Sequence, residues 1–429
     1  MTGGGGPGGP LGIGHNSVRP IDHSLWAPFS RMSLFGGRDL ILVDNRGVGS
    51  SVPRLDCPEF ENVVIELIQM DATEAEEQSA IRAGFASCRL RLTETEGIDI
   101  SKYNVVQAAH DLDALRRGLG FDSINLYGVS YGTSVALVYA REFPNATRAL
   151  VLDSVVPPHI KFLEELPKLS WRAFERVFEM CADDESCRTR FGDDLQERFE
   201  TFLGNLDDGF LDLTITHPRT LEPLPLKVGS GLIVSSLYLS MYAGTEIQKV
   251  PLIMHTLMNN SFDYLGEVVR DTNIKLAFWR SLDEGAYASY SCYDEIPFND
   301  AGYALQELEK YPIQNSMNRH AIMAGFAMCD VWNVPAGDPV EAAPVRSPVP
   351  TLLLSVALDP VTTPEWAADL LQYLPRAYHI VWPGISHGVL SASFCADEVA
   401  QIFLDQPDRD PTGINCIDDP QAPFQFTLN

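Results

Sequence analysis

Ile124-Asn125-Leu126-Tyr127-Gly128-Val129-Ser130-Tyr131-Gly132-Thr133 is the stretch on which the reading of this chain turns. A short apolar run leads into G-x-S-x-G, and residues 134–143 continue with helical character. Strand, sharp turn and helix in that order describe a nucleophile elbow. The turn leaves room only for small residues two places before and two places after the serine. It lifts the hydroxyl above the sheet edge, where an acyl carbon can reach it. The pentapeptide alone says little, because glycine and serine are common in turns; its flanks carry the signal.

A serine hydroxyl is a poor nucleophile until a base takes its proton, and the base needs a third group to fix its tautomer. Residues 351–356 read as a buried strand followed by Ala357-Leu358-Asp359-Pro360. Residues 378–382 read as another, followed by Pro383-Gly384-Ile385-Ser386-His387-Gly388. Both candidates fall just past strand ends, where open α/β sheets place their ligand sites. An Asp-Pro after a strand is, by itself, most often a turn. Among nine histidines, His379 lies inside a strand and reads as packing, whereas His387 sits in a glycine-flanked loop. The order Ser130, Asp359, His387 is the one expected of an α/β-hydrolase. The expected triad is therefore Ser130, His387 and Asp359, with no metal and no cofactor.

The oxyanion of an acyl-transfer intermediate needs two aimed backbone N–H groups, and losing one such donor costs roughly 3–4 kcal/mol. Tyr131, next after the serine, supplies one. The other is expected from the glycine-rich start, with Gly6 favoured and Gly5 second. The alternative for that start is a flexible linker or purification scar.

Bulk properties bound the rest. With 429 residues the chain exceeds the size of one core, so a main domain with a substantial insertion is expected. No apolar run approaches the length needed to span a bilayer. The net charge of −27 argues against nucleic acid and anionic membranes as partners. Eight cysteines fall into four neighbouring couples, predicting pairs Cys57–Cys88, Cys181–Cys187, Cys292–Cys329 and Cys395–Cys416. The first would contribute about 3–4 kcal/mol in a chain-entropy account. The alternative is eight reduced thiols; no zinc-ligand spacing offers a third reading. Disulfides would place the protein in an oxidising compartment, secreted or periplasmic. The first residues carry no secretion-signal pattern.

Residues 39–44 read as an aliphatic strand, and residues 26–34 as a short helix. Apolar residues at 105, 109, 112, 115 and 119 have helical spacing, stopped by Gly120. Residues 157–345 are rich in amphipathic helical stretches with few clean strand signals. The expected architecture is a parallel α/β sheet, residues 1–156 and 346–429, interrupted by a mostly helical cap at 157–345.

Together these residues resemble the α/β-hydrolase branch that includes the proline iminopeptidases and the secreted tripeptidyl aminopeptidases. The Gly-Gly-Pro-Gly loop is similar to that family's oxyanion loop. Asp44-Asn45-Arg46-Gly47-Val48-Gly49-Ser50-Ser51 resembles its D-x-R-G-x-G-x-S segment, and Leu55-Asp56-Cys57-Pro58-Glu59 the L-x-C-P-E that follows. Tyr127 to Thr133 matches the elbow, and the stretches around Asp359 and His387 match the acid and base segments. Two departures stand out. Gly4 occupies the place where the family usually has histidine or another residue. The strands that precede the family's loop, and the one between residues 39–44 and the elbow strand, have no counterpart here. Their loss would leave backbone groups unpaired at about 1–3 kcal/mol each, which predicts an N-terminally truncated chain or a start at a downstream methionine.

The resemblance implies a serine hydrolase working through an acyl-enzyme, an aminopeptidase releasing short N-terminal peptides or residues. Such an enzyme needs an anionic pocket for the substrate ammonium, and Asp294 and Glu295 are its candidates; they read otherwise as exposed turn acids beside a disulfide. The alternative function is a carboxylesterase on small esters with the same triad.

Overall fold

The computed structural model describes residues 6–10, 37–70, 72–206, 209–217, 220–242, 246–274, 282–311, 313, 315–383, 387–390 and 393–414. Six strands lie among them: β1 (Ile124–Val129), β2 (Thr147–Asp153), β3 (Leu211–Thr216), β4 (Pro223–Val228), β5 (Thr351–Val356) and β6 (Ala377–Trp382). β1, β2, β5 and β6 form a parallel sheet in that order, and β3 pairs antiparallel with β4. The helices used below are α1 (Pro58–Leu67), α2 (Glu74–Leu90), α3 (Val105–Gly118), α4 (Tyr131–Glu142), α5 (Phe162–Asp183), α6 (Ser230–Ser240), α7 (Glu284–Tyr290), α8 (Asn315–Trp332), α9 (Pro364–Leu370) and α10 (Phe394–Asp405). This is the parallel α/β arrangement expected from the alternation of strand and helix.

β5 is buried along its whole length, and β2 is buried at all but one position. Both read as continuous aliphatic runs because each face of the sheet is covered. The two-residue period divides them between two cores. Leu150, Leu152 and Leu353 face one cluster with Val135, Val138 and Ala109 from α4 and α3. Ala149, Val151, Leu352 and Leu354 face the other, with Val399, Ala400 and Phe403 from α10.

The long insertion between β2 and β5 contributes to two bodies. Phe174, Val177, Phe199, Ile233, Leu237, Ile253 and Leu257 build a separate helical core, to which the β3–β4 hairpin adds Leu224, Leu226 and Val228. Ala286, Tyr290, Met328 and Trp332, from α7 and α8, instead join the core beside the sheet. The hairpin carries no clean signal in sequence: Pro223 and Pro225 suppress the strand pattern, yet the ladder forms.

Disulfides join Cys57 to Cys88, Cys181 to Cys187 and Cys292 to Cys329, as the cysteine layout predicts. Cys57 precedes α1 and Cys88 lies in α2, so the first ties those helices together. Cys395 is also disulfide-bonded; Cys416, its predicted partner, lies outside the described residues.

Residues 39–44 are a correction. They are aliphatic enough for a strand, but they are not part of the four-stranded sheet. A groove of about 480 Å³, lined by Leu40, Ile41, Leu115, Phe121 and the outer side of β1, lies between. Val43 carries a single β-bridge, and no run within residues 39–44 forms a strand among the described residues. The helix predicted at residues 26–34 falls outside the described residues. Among the described residues, no helix is long and apolar enough to cross a membrane.

Candidate active site

The elbow follows from steric necessity. Ser130 has φ 54° and ψ −129°, a conformation costly for any residue with a Cβ. A Cβ on Gly128 would lie 2.4 Å from the Gly132 carbonyl oxygen, so the glycine is required by the closeness of the turn. The Ser130 N–H donates to the Asp153 carbonyl at 3.0 Å, and the Thr133 N–H to the Ser130 carbonyl at 2.9 Å. Gly128→Ala is expected to destabilise the fold by about 1–3 kcal/mol, the usual range for forced overpacking. The urea midpoint measures this; a midpoint unchanged from the parent would contradict the steric account.

Asp359 follows β5 and His387 follows β6, both at the rim where Ser130 stands. The His387 Nδ1 lies 2.9 Å from the Asp359 Oδ2. The remaining acceptor capacity of the acid is filled locally: Val361 N–H and Thr362 N–H donate to Oδ1 at 2.9 and 2.8 Å, and the Thr362 hydroxyl to Oδ2 at 2.6 Å. Burial would raise the Asp359 pKa, but the charge and hydrogen bond of His387 and the Thr362 contacts outweigh it and hold the carboxyl below its ordinary value. Burial likewise pushes the His387 imidazole down; the charge and hydrogen bond of Asp359, with a smaller contribution from Asp153, leave it above its ordinary value. With Asp359 ionised, Nδ1 donates, and Nε2 is left as an acceptor.

The insertion reaches into this pair. Arg172 on α5 donates to the carbonyls of Asp359 and Ala357 at 2.8 and 2.7 Å. Tyr238 on α6 donates to the Pro360 carbonyl at 2.9 Å. The ring of Tyr242 packs edge-on against His387, with centroids 5.2 Å apart. Sequence reading did not find these three, because a cap residue that braces a core loop has no local signature.

Tyr131 opens α4, directly after Ser130. Its phenol is pushed well up by burial and by the charges of Asp294 and Glu295 and the neighbouring Tyr290. Gly6 has φ +61° and lies 3.7 Å, by its would-be Cβ, from Leu282. Its loop is anchored on the insertion: Asp283 N–H donates to the Gly8 carbonyl at 2.8 Å. A Cβ on Gly8 would meet the Asp283 carbonyl at 2.6 Å, so glycine is needed for that approach. Gly5, the second choice, lies outside the described residues.

Asp294 and Glu295 follow α7 and are half-buried. Asp294 is engaged: its Oδ2 accepts the Val105 N–H at 2.8 Å, at the start of α3. Burial first, then the charges of Glu341 and Glu295, push its carboxyl well up. Burial pushes the Glu295 carboxyl up to about 7. Glu295 also raises the phenol of Tyr287 on α7, after burial.

Comparison with known proteins agrees with the fold. Residues 5–205 match the family described as alpha/beta hydrolase fold, and residues 315–416 the family described as TAP-like protein. Serine protease Hip1 of Mycobacterium tuberculosis is 29% identical over 408 residues, covering 88% of this chain and 74% of that protein. The tripeptidyl aminopeptidase of Streptomyces lividans is 30% identical over 159 residues, covering 35% of this chain and 28% of its own length. On the strength of the fold and these two family matches, the chain belongs to the α/β-hydrolases of the tripeptidyl aminopeptidase-like type and is a serine hydrolase.

Proposed function

We propose that this protein is an aminopeptidase that releases short N-terminal peptides or residues through an acyl-enzyme. Ser130 attacks the scissile carbonyl, and His387 Nε2 takes its proton. Asp359 holds the imidazole and stabilises the imidazolium. The N–H groups of Tyr131 and Gly6 receive the oxyanion. His387 then returns the proton to the leaving amine, and water repeats the sequence to free the acyl product. No metal or cofactor enters this scheme. The triad is carried by the 2.9 Å contact between His387 and Asp359 at the rim beside the elbow.

The aminopeptidase reading rests on Glu295. Asp294 gives its Oδ2 to the start of α3 and keeps Oδ1 without a partner among the described residues, and Glu295 is the second carboxylate beside Tyr131 that we assign to a substrate ammonium. Removing a charge-assisted hydrogen bond costs about 1.5–3 kcal/mol. Glu295→Gln is therefore expected to raise KM for a free-amine peptide arylamide about 10- to 100-fold and to leave the N-acetylated analogue unaffected. The carboxyl at about 7 is neutral below that pH, so free-amine binding should strengthen as pH rises through 7. It should weaken again as the substrate amine, with pKa near 8, loses its charge. Cleavage of a short p-nitrophenyl ester alone, with no free-amine arylamide turnover, would replace this reading with a carboxylesterase. The three disulfides fit an extracellular or periplasmic setting.

A further inference from the structure

Asp153 and Ser154 close β2, between the elbow strand β1 and β5. They are buried and belong to none of the roles assigned above. The Asp153 carbonyl accepts the Ser130 N–H at 3.0 Å. Its carboxylate faces the other way along the rim: Oδ1 accepts the Val389 N–H at 2.9 Å, and Oδ2 the Leu390 N–H at 3.0 Å. The Ser154 hydroxyl accepts the Gly388 N–H at 2.9 Å. Three successive amides after His387 thus end on Asp153, whose own carbonyl holds the elbow, and on Ser154 beside it, whose N–H donates to the Leu354 carbonyl at 2.9 Å. Ser154 holds this posture at φ 53°, a further strained position at the same rim. The Tyr127 hydroxyl donates to Oδ2 at 3.2 Å, so the carboxylate is held from both sides.

We infer that Asp153, with Ser154, is a positioning residue that fixes the distance between the Ser130 hydroxyl and the His387 imidazole. This rests on the triad proposed above. His387 sits on a loop, and the hydrogen bond from Nδ1 to Asp359 sets the ring's tautomer and one direction only. The loop still needs a fixed origin relative to the elbow, since displacement of about 1 Å in a reacting pair can cost on the order of 100-fold in rate. One dipeptide that binds both partners supplies that origin. Asp153 also faces His387 as a charge, along with Asp359 at Nδ1, while Tyr242 covers the ring and Arg172 braces the backbone behind Asp359. Burial raises the Asp153 carboxyl, and the amides of Val389 and Leu390, the imidazolium and Tyr127 oppose this.

The test compares the full chain with Asp153→Asn and Ser154→Ala, using a chromogenic substrate and a fluorophosphonate. In Asp153→Asn one acceptor becomes an NH2 group facing a backbone N–H. It is expected to lower kcat and the fluorophosphonate labelling rate at least 10-fold, with KM within twofold. It should also shift the acid limb of kcat/KM to lower pH, because the imidazolium loses an attracting charge. Ser154→Ala is expected to lower both rates severalfold without moving the acid limb. If both variants keep their rates within twofold, the inference is overturned. It is also overturned if the rates fall only in parallel with the thermal midpoint, with the acid limb unmoved. If Asp153→Asn does not fold, Ser154→Ala decides: an unchanged labelling rate overturns the inference, and a severalfold loss at the parent's midpoint sustains it. A parent protein that does not label would instead remove the triad on which the inference stands.

Discussion

Ser130→Ala is expected to lower kcat by roughly 10⁴- to 10⁶-fold while the protein still folds, because removal of an activated nucleophile leaves only oxyanion stabilisation and substrate binding. Alanine keeps the Cβ and the backbone bonds to Asp153 and Thr133, so the elbow's geometry survives. KM for a free-amine substrate should stay within a fewfold, since Glu295 and the rest of the pocket are untouched. The measurement is kcat and KM on a peptide arylamide, with the thermal midpoint as the control for folding. A variant retaining more than about one hundredth of the parent kcat would show that another group carries the chemistry.

The second large effect belongs to the acid. Asp359→Asn is expected to lower kcat by about 10⁴-fold. The amide oxygen can still accept from Val361 and Thr362, but its NH2 group then faces His387 Nδ1. The imidazole answers with the other tautomer, placing a hydrogen on Nε2 where the serine proton must go. The pH dependence separates this from a folding defect. In the parent the imidazole is held above its ordinary value, chiefly by Asp359 working against burial. The neutral, active form therefore dominates only above that raised value, and activity is lost as pH falls through it. Without the carboxylate the acid limb should move to lower pH. A loss smaller than tenfold, or an acid limb that stays in place, would reject Asp359 as the orienting acid.

Much of this was legible in the residues themselves, and the reasons are local. Gly128 precedes the serine because a Cβ there would run into the Gly132 carbonyl, so the elbow has a recognisable spelling. The strand leading to Asp359 is aliphatic without alternation because both sheet faces are covered, whereas the one leading to His387 is buried only at Ile380 and Trp382. Three of the cysteine couples were readable because each pair is close in sequence. What stayed hidden depends on contacts across long separations. Nothing near Arg172, Tyr238 or Tyr242 says that they brace loops more than a hundred residues further on. Asp153 ends an apolar run, as a strand-terminating acid often does, and only the fold reveals the amides of residues 389 and 390 converging there. Residues 39–44 misled for the converse reason: they carry strand composition, but a strand exists only where a neighbour completes its ladder. The β3–β4 hairpin shows the opposite case, with two prolines masking a ladder that tertiary packing supports.

On the proposed reading substrate choice is divided in the same way: the proposed triad residues lie on segments of the sheet, whereas Glu295 and the helix anchoring the glycine loop come from the stretch between β2 and β5. Changes at Glu295 should therefore alter which substrates are taken, whereas changes at Arg172, Tyr238 or Tyr242, which brace the Asp359 and His387 segments, should alter the rate of transfer.

The central claim is that the hydroxyl at position 130 is made nucleophilic by the imidazole at 387. Peptide mapping by mass spectrometry after exposure to a fluorophosphonate tests it most directly. The expected result is a single stoichiometric adduct on the peptide containing Ser130, lost in His387→Ala. No adduct on the folded parent protein, or one that maps to a different serine, would contradict it.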